Sequence, residues 1–221
     1  METVSTNSPI SAAAQHLATT IKTHLDAGEH VLWFLSGGSG IEVVLETDKL
    51  LAGTDLTNLS VTLSDERFGN IGHPDENWQL LLDGGLSLTG ATLYRPLINQ
   101  ECQITTDEFG AWVMQVMSVA DYAIGLFGIG VDGHTAGIKP HSPATETSAW
   151  ASCFKADDFE RITISPLAIS HLNEAIIQAS GQSKQPVLHD LLHASVDVVD
   201  QPMHILKSVP KSTLYTNIKD L

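Results

Sequence analysis

Residues 128–136 read Gly-Ile-Gly-Val-Asp-Gly-His-Thr-Ala. Asp132 and His134 stand two positions apart in this glycine-rich run, directly after the apolar stretch Tyr122–Phe127. A histidine beside an acid suits general-base work near neutral pH, because its charge changes in that range. The same residue types would also serve a turn whose Asp caps a helix and whose His is solvated. Three further groups share the placement after an apolar run. Gly37, Gly38 and Ser39 follow Val31–Leu35, and Asp65, Glu66 and Arg67 follow Leu59–Leu63. Lys184 comes three positions after Gly181, past a later apolar segment. Glycines before a helix admit an anion to free backbone N–H groups, and Ser39 adds a hydroxyl. A plain strand-to-helix turn would favour Gly and Ser as well.

These groups need a scaffold that gathers strand ends. Short apolar runs alternate with helical periodicity through most of the chain, which predicts a mostly parallel sheet with helices on both faces. Ile10, Ala14, Leu17, Ile21 and Leu25 recur at steps of three or four, giving an amphipathic helix over 9–27. Later helices are expected over 107–119 and 182–193. Ala91–Tyr94 and Arg161–Ile164 read as strands, and Ser212–Asn217 as a short strand at an edge. In open sheets of this kind ligands bind outside the carboxyl ends of the strands. Lys184 is expected in the first turn of its helix, where a cation opposes the dipole. The Gly-x-x-x-x-Gly-Lys spacing of a nucleotide loop is absent.

Taken in order from Val31 to Lys184, these motifs resemble the 6-phosphogluconolactonase family, within the wider sugar-phosphate isomerase group that includes glucosamine-6-phosphate deaminase. The resemblance implies a single α/β domain over 1–221, a Rossmann-like three-layer sandwich with a mostly parallel sheet. It implies hydrolysis of 6-phospho-D-glucono-1,5-lactone in the oxidative pentose phosphate pathway, with His134 as general base, Asp132 orienting it or near the substrate, and Asp65 at the substrate. Gly37, Gly38, Ser39, Arg67, Asn77, Arg161 and Lys184 are implied as substrate and phosphate ligands. No metal or cofactor is called for. The chain departs from the pattern in places. Gly40 and Ile41 stand where Ser-Thr-Pro usually continues, Glu76 where Ser usually precedes the asparagine, and Lys139 where lactonases usually carry Phe. Lys139 is therefore expected to add positive charge near the substrate. The deaminases usually carry Tyr in place of Arg67, an apolar residue in place of Thr135 and Glu in place of Lys139. Those differences favour the lactonase over a deaminase or isomerase, and over a non-catalytic sugar-phosphate sensor.

Composition narrows the field. The net charge of −15 argues against nucleic-acid or anionic-membrane partners, which need a basic face. Only three arginines occur, Arg67, Arg95 and Arg161. An anion site here must therefore be local. No apolar run reaches the ~20 residues of a membrane span. The start of the chain lacks the pattern of a signal peptide, and Cys102 and Cys153 form no short pair. The expected setting is cytoplasmic, with a monomer favoured. His189 and His193 imitate a metalloprotease helix, but no third ligand follows at familiar spacing.

Overall fold

The computed structural model describes residues 1–221. In chain order the first half runs β1 (Glu2–Ser5), α1 (Pro9–Asp26), β2 (Val31–Leu35), α2 (Ile41–Leu50), β3 (Leu59–Leu63), β4 (Asp65–Arg67), α3 (Asn77–Asp83) and β5 (Thr92–Leu93). The second half runs α4 (Cys102–Met117), β6 (Tyr122–Phe127), β7 (Ala151–Lys155), β8 (Glu160–Ile164), α5 (Pro166–Ser170), β9 (Glu174–Gln178), α6 (Gln185–His193) and β10 (Lys211–Thr216). Seven strands form one sheet in the order β1-β10-β9-β6-β2-β3-β5, and every pairing in it is parallel.

Parallel strands covered on both faces must be apolar throughout, and β2 and β6 are buried along their whole length. Their side chains alternate between two cores. Val31, Trp33 and Leu35 pack with Leu17 of α1, Val44 of α2 and Leu81 of α3. Leu32 and Phe34 pack on the other face with Phe109 of α4, Ile169 of α5 and Leu188 of α6. The result is the three-layer α/β sandwich expected from the alternation of elements.

Connections leave β2 toward β3 and β5 on one side, and β6 toward β9 and β10 on the other. The order therefore reverses between β2 and β6. Loops leaving the carboxyl ends of those two strands diverge and open a crevice there. The glycine loop after Leu35 and the Asp132–His134 loop after Phe127 are those two loops.

Several expectations are corrected. Arg161–Ile164 does not join the main sheet. It forms the centre of a second, antiparallel sheet, β4-β8-β7, in which Asp65 pairs with Thr163 and Arg67 with Arg161. Asp65–Arg67, placed after the apolar run Leu59–Leu63, is thus a short strand of its own. Ser212–Asn217 is not at an edge. β10 lies between β9 and β1, because the N-terminal Glu2–Ser5 adds outside it. The helix expected from 107 starts at Cys102, where buried Thr105 and Thr106 mask the apolar period. The helix expected from 182 divides into a 3₁₀ turn, Gln182–Lys184, and an α-helix from Gln185. Pro186 explains the break, since it fits only the start of an α-helix.

Candidate active site

The crevice at the switch point holds a cleft of about 240 Å³. Gly37, Gly38, Ser39, Asp65, Arg67, Asn77, His134, Arg161 and Lys184 all line it, together with Ser36, Ile129 and Ala136. Of the ten residues expected as catalytic groups or ligands only Asp132 does not, because it stands behind His134.

The glycine loop is shaped for close approach. Gly38 has φ +54°, a conformation that favours glycine, and Gly38–Gly40 form a 3₁₀ turn leading into α2. A side chain on Gly37 would run into the amide of Asn77. Asn77 in turn donates from Nδ2 to the Asp65 carbonyl (3.2 Å), while its buried Oδ1 has no partner. The backbone N–H groups of Gly38 and Ser39 likewise meet no acceptor in the protein. A Cβ on Gly40 would lie 2.9 Å from the Ser36 hydroxyl, so the missing Thr of the motif is matched by tight packing against Ser36.

His134 and Asp132 form a close pair, Nδ1 to Oδ1 at 2.5 Å. Gly130 is what permits it, since a Cβ there would strike the His134 ring. Burial lowers the His134 pKa below the ordinary histidine value, with the Asp132 charge opposing. Burial works to raise the Asp132 carboxyl, but His134 and Lys139 outweigh it and hold it low. An ionised Asp132 accepts from Nδ1, so Nδ1 carries the proton. Nε2 is left with a lone pair and no protein partner, the form a general base requires. Ala136, next in the loop after Thr135, holds φ +48°, a strained conformation for a residue with a Cβ.

The cations differ in freedom. Arg161 is almost fully buried and held by Asp158, Nη2 to Oδ2 at 2.7 Å and Nε to Oδ1 at 3.3 Å. Its Nη1 lies 3.6 Å from Asp65 Oδ2. Both Arg161 and Arg67 stack on the Phe159 ring, at 5.8 and 4.7 Å from its centroid. Neither Asp158 nor Phe159 was visible as a site residue from sequence, though both lie within three positions of Arg161. Lys184 has no ion partner, and its burial alone lowers its pKa. It caps α6 rather than sitting within the first turn. Asp65 is buried, which raises its pKa despite Arg161 and His134 nearby.

The remaining charges of the motifs are structural. Glu66 accepts backbone N–H bonds from Arg67, Asn77 and Trp78, capping α3, while burial pushes its carboxyl up to about 8. Glu76, the departure before Asn77, receives a fork from Arg95 at 2.6 and 2.5 Å. That accounts for the third arginine and removes it from the site. Lys139 does not line the cleft. Its ammonium lies 3.4 Å from Asp132 and 4.0 Å from Asp158, so the positive charge it adds meets those two carboxylates behind the cleft. The His189 and His193 rings lie 4.7 Å apart on α6, tilted by 50°, and no group of three or more His, Cys, Asp or Glu that could hold a metal forms.

A family model described as glucosamine-6-phosphate isomerases/6-phosphogluconolactonase matches residues 5–215, nearly the whole chain. The chain belongs to the glucosamine-6-phosphate isomerase/6-phosphogluconolactonase family. A curated relative, a probable chloroplastic 6-phosphogluconolactonase from Oryza sativa subsp. indica, is 28% identical over 176 residues, which cover 70% of this chain and 54% of that protein. The chain thus spans about half the length of that relative. A 6-phosphogluconolactonase from Thermotoga maritima superposes with TM-score 0.81 over 97% of both chains, at 14% identity. A monomeric glucosamine-6-phosphate deaminase gives the same TM-score at 16% identity, over 98% of this chain and 97% of that one. At these identities the likeness is one of fold, and the fold is common to both activities of the family. No helix is long and apolar enough to cross a membrane.

Proposed function

We propose that the chain hydrolyses a phosphorylated sugar lactone, 6-phospho-D-glucono-1,5-lactone, to 6-phospho-D-gluconate, as one catalytic domain spanning residues 1–221. The observation that carries the reading is a neutral, Asp-oriented His134 facing the same cleft as an unpaired Lys184 and a glycine loop with free N–H groups. Nε2 of His134 takes a proton from water as the oxygen attacks the ring carbonyl. The imidazolium that results is stabilised by Asp132. The tetrahedral intermediate then collapses, the C1–ring oxygen bond breaks, and the leaving oxygen takes the same proton back from His134. The acid that forms ionises into solution. Lys184, Ser39 and the Gly38 and Ser39 amides hold the phosphate, and Arg67 and Arg161 hold hydroxyl or carboxyl oxygens with their rigid forks.

Asp65 supports a second reading. A buried carboxyl with a raised pKa beside His134 could move a proton between sugar carbons, as an amino-sugar phosphate deaminase or isomerase requires. The test is a paired assay of purified protein without added metal. Lactone hydrolysis above the spontaneous rate, with no ammonia from glucosamine 6-phosphate, supports the lactonase. The reverse supports the deaminase. Binding without turnover of either points to a sensor.

A further inference from the structure

The loop that carries His134 turns back on itself and brings Lys139 beside the catalytic pair. Its Nζ lies 3.5 Å from His134 Nδ1, 3.4 Å from Asp132 Oδ2 and 4.0 Å from Asp158 Oδ2. Nδ1 already bears the proton given to Asp132, so its approach to Lys139 is one of charge and not a hydrogen bond. Asp158 is the carboxylate that forks Arg161, and Arg161 reaches Asp65. Outward from the neutral His134 ring the charges therefore alternate: Asp132, Lys139, Asp158, Arg161, Asp65. Lys139 joins Asp132, behind the base, to Asp158, behind the arginine clamp, while Asp65 faces both His134 and Arg161. It is also the position where an apolar ring would leave no cation between Asp132 and Asp158.

We propose that Lys139 is a positioning residue that shares Asp132 with His134, opposing a second proton on the base and tying it to the Arg161 clamp. This rests on the lactonase reading for its kinetic consequence. Two effects act in one direction. A cation next to the ring disfavours a second proton on it, and a cation on Oδ2 withdraws part of the Asp132 charge that would favour that proton. The other charges facing His134 are Asp65 and Arg67 of β4, Arg161 of β8 and Lys184 before α6. None of these charges is removed when Lys139 is changed, so the direct effect keeps its sign. The Lys139 and Asp132 side chains retain 25% and 41% exposure, which keeps the effect modest.

The experiment compares Lys139→Met, Lys139→Gln and Lys139→Arg with the unaltered chain. Two readouts are taken, the pH profile of kcat/KM for lactone hydrolysis and the NMR titration of the His134 ring. Both neutral variants should move the acid limb and the ring titration to higher pH. Activity at pH 6, relative to pH 8, should drop about twofold to fivefold, the range for a partly exposed ion pair. Lys139→Arg should restore both. Using two neutral side chains guards against one of them failing to fold. Unchanged ring titration in a folded neutral variant overturns the proposal. The ring titration needs no turnover, so it still decides the matter if the lactonase assay fails, and that failure would count only against the activity assigned above.

Discussion

Polar side chains cluster at both ends of the main sheet, and the two clusters are built in opposite ways. At the amino ends of the strands, Tyr122, Glu174 and Lys211 are the first residues of β6, β9 and β10. They meet His16 of α1 around a cavity of about 540 Å³. Tyr122 donates to Glu174 at 2.6 Å, His16 bridges Glu174 at 3.0 Å and Tyr215 at 2.7 Å, and Lys211 reaches Tyr122 at 3.4 Å. Each group is answered by another. At the carboxyl ends the cleft is smaller, about 240 Å³, yet Lys184, Asn77 Oδ1, His134 Nε2 and the Gly38 and Ser39 amides have no partner. Size does not distinguish a site from a staple. What distinguishes it is polar capacity left open, because buried polar groups left unmatched cost free energy unless a ligand or water meets them.

The sharpest break in the comparison is catalytic. His134→Asn should lower kcat by about 10²–10⁴-fold with little change in KM, the range for loss of a general base. Any change in Tm should reflect only the lost Nδ1–Asp132 contact, since Nε2 holds nothing in the folded protein. Near-wild-type kcat would shift the role of base to Asp65.

Next in size is Lys184→Ala. It should weaken the phosphorylated lactone by about tenfold to a hundredfold and spare the unphosphorylated lactone. Because the ammonium is unpaired and partly buried, stability should hold or rise. Arg161→Ala makes a useful contrast, since it strands Asp158 and buried Asp65 and so should lower both binding and Tm. Equal losses on both lactones for Lys184→Ala would mean that it does not read the phosphate.

At the opposite end the signature should invert. Glu174→Gln removes the charge that His16 and Tyr122 share, costing about 1–3 kcal/mol of stability, or roughly 2–4 °C of Tm per kcal/mol. kcat/KM measured well below Tm should be unchanged. A loss of activity without a loss of stability would show that the two ends are coupled.

Sequence reading reached the two ends unequally. Glycine, acid and histidine after an apolar run mark the carboxyl-end cleft, because a parallel sheet must place its ligands there. Nine of the ten site positions named from sequence therefore line it. The staple was invisible, since His16, Tyr122, Glu174 and Tyr215 are separated by up to 199 positions and each reads singly as an ordinary residue. The small antiparallel sheet was missed for a related reason. β4 holds only Asp65–Arg67, too short and too charged to show alternation, and its partner β8 looks like one more parallel strand. Glu66 illustrates the limit best. Its charge type suggested a site, but its carboxyl oxygens are taken up by three backbone N–H groups, a fact that only the fold contains.

Acid should separate the two ends by their order of failure. Burial holds the His134 pKa below the ordinary value of about 6.5, so activity should persist somewhat below that pH and then fall as Nε2 takes a proton. At Glu174, burial works to raise the carboxyl, but His16 and Tyr122 outweigh it and the folded value is lowered. A carboxyl with a depressed folded value contributes stability that is present above its unfolded value, about 4.3, and is lost as pH falls through the folded one. His134 acts with its own sign. A base with a depressed folded value is protonated more readily in the unfolded chain, so it erodes stability as pH falls below about 6.5. The Tm of His134→Asn against pH removes that contribution and leaves the staple exposed. The expected outcome is a band of mildly acidic pH in which the protein is folded and inactive. Rates corrected for uncatalysed hydrolysis, beside Tm from circular dichroism at each pH, check this. If activity and Tm fell together through one transition, the two ends would not be independent, and the distinction between a closed staple and an open site would fail.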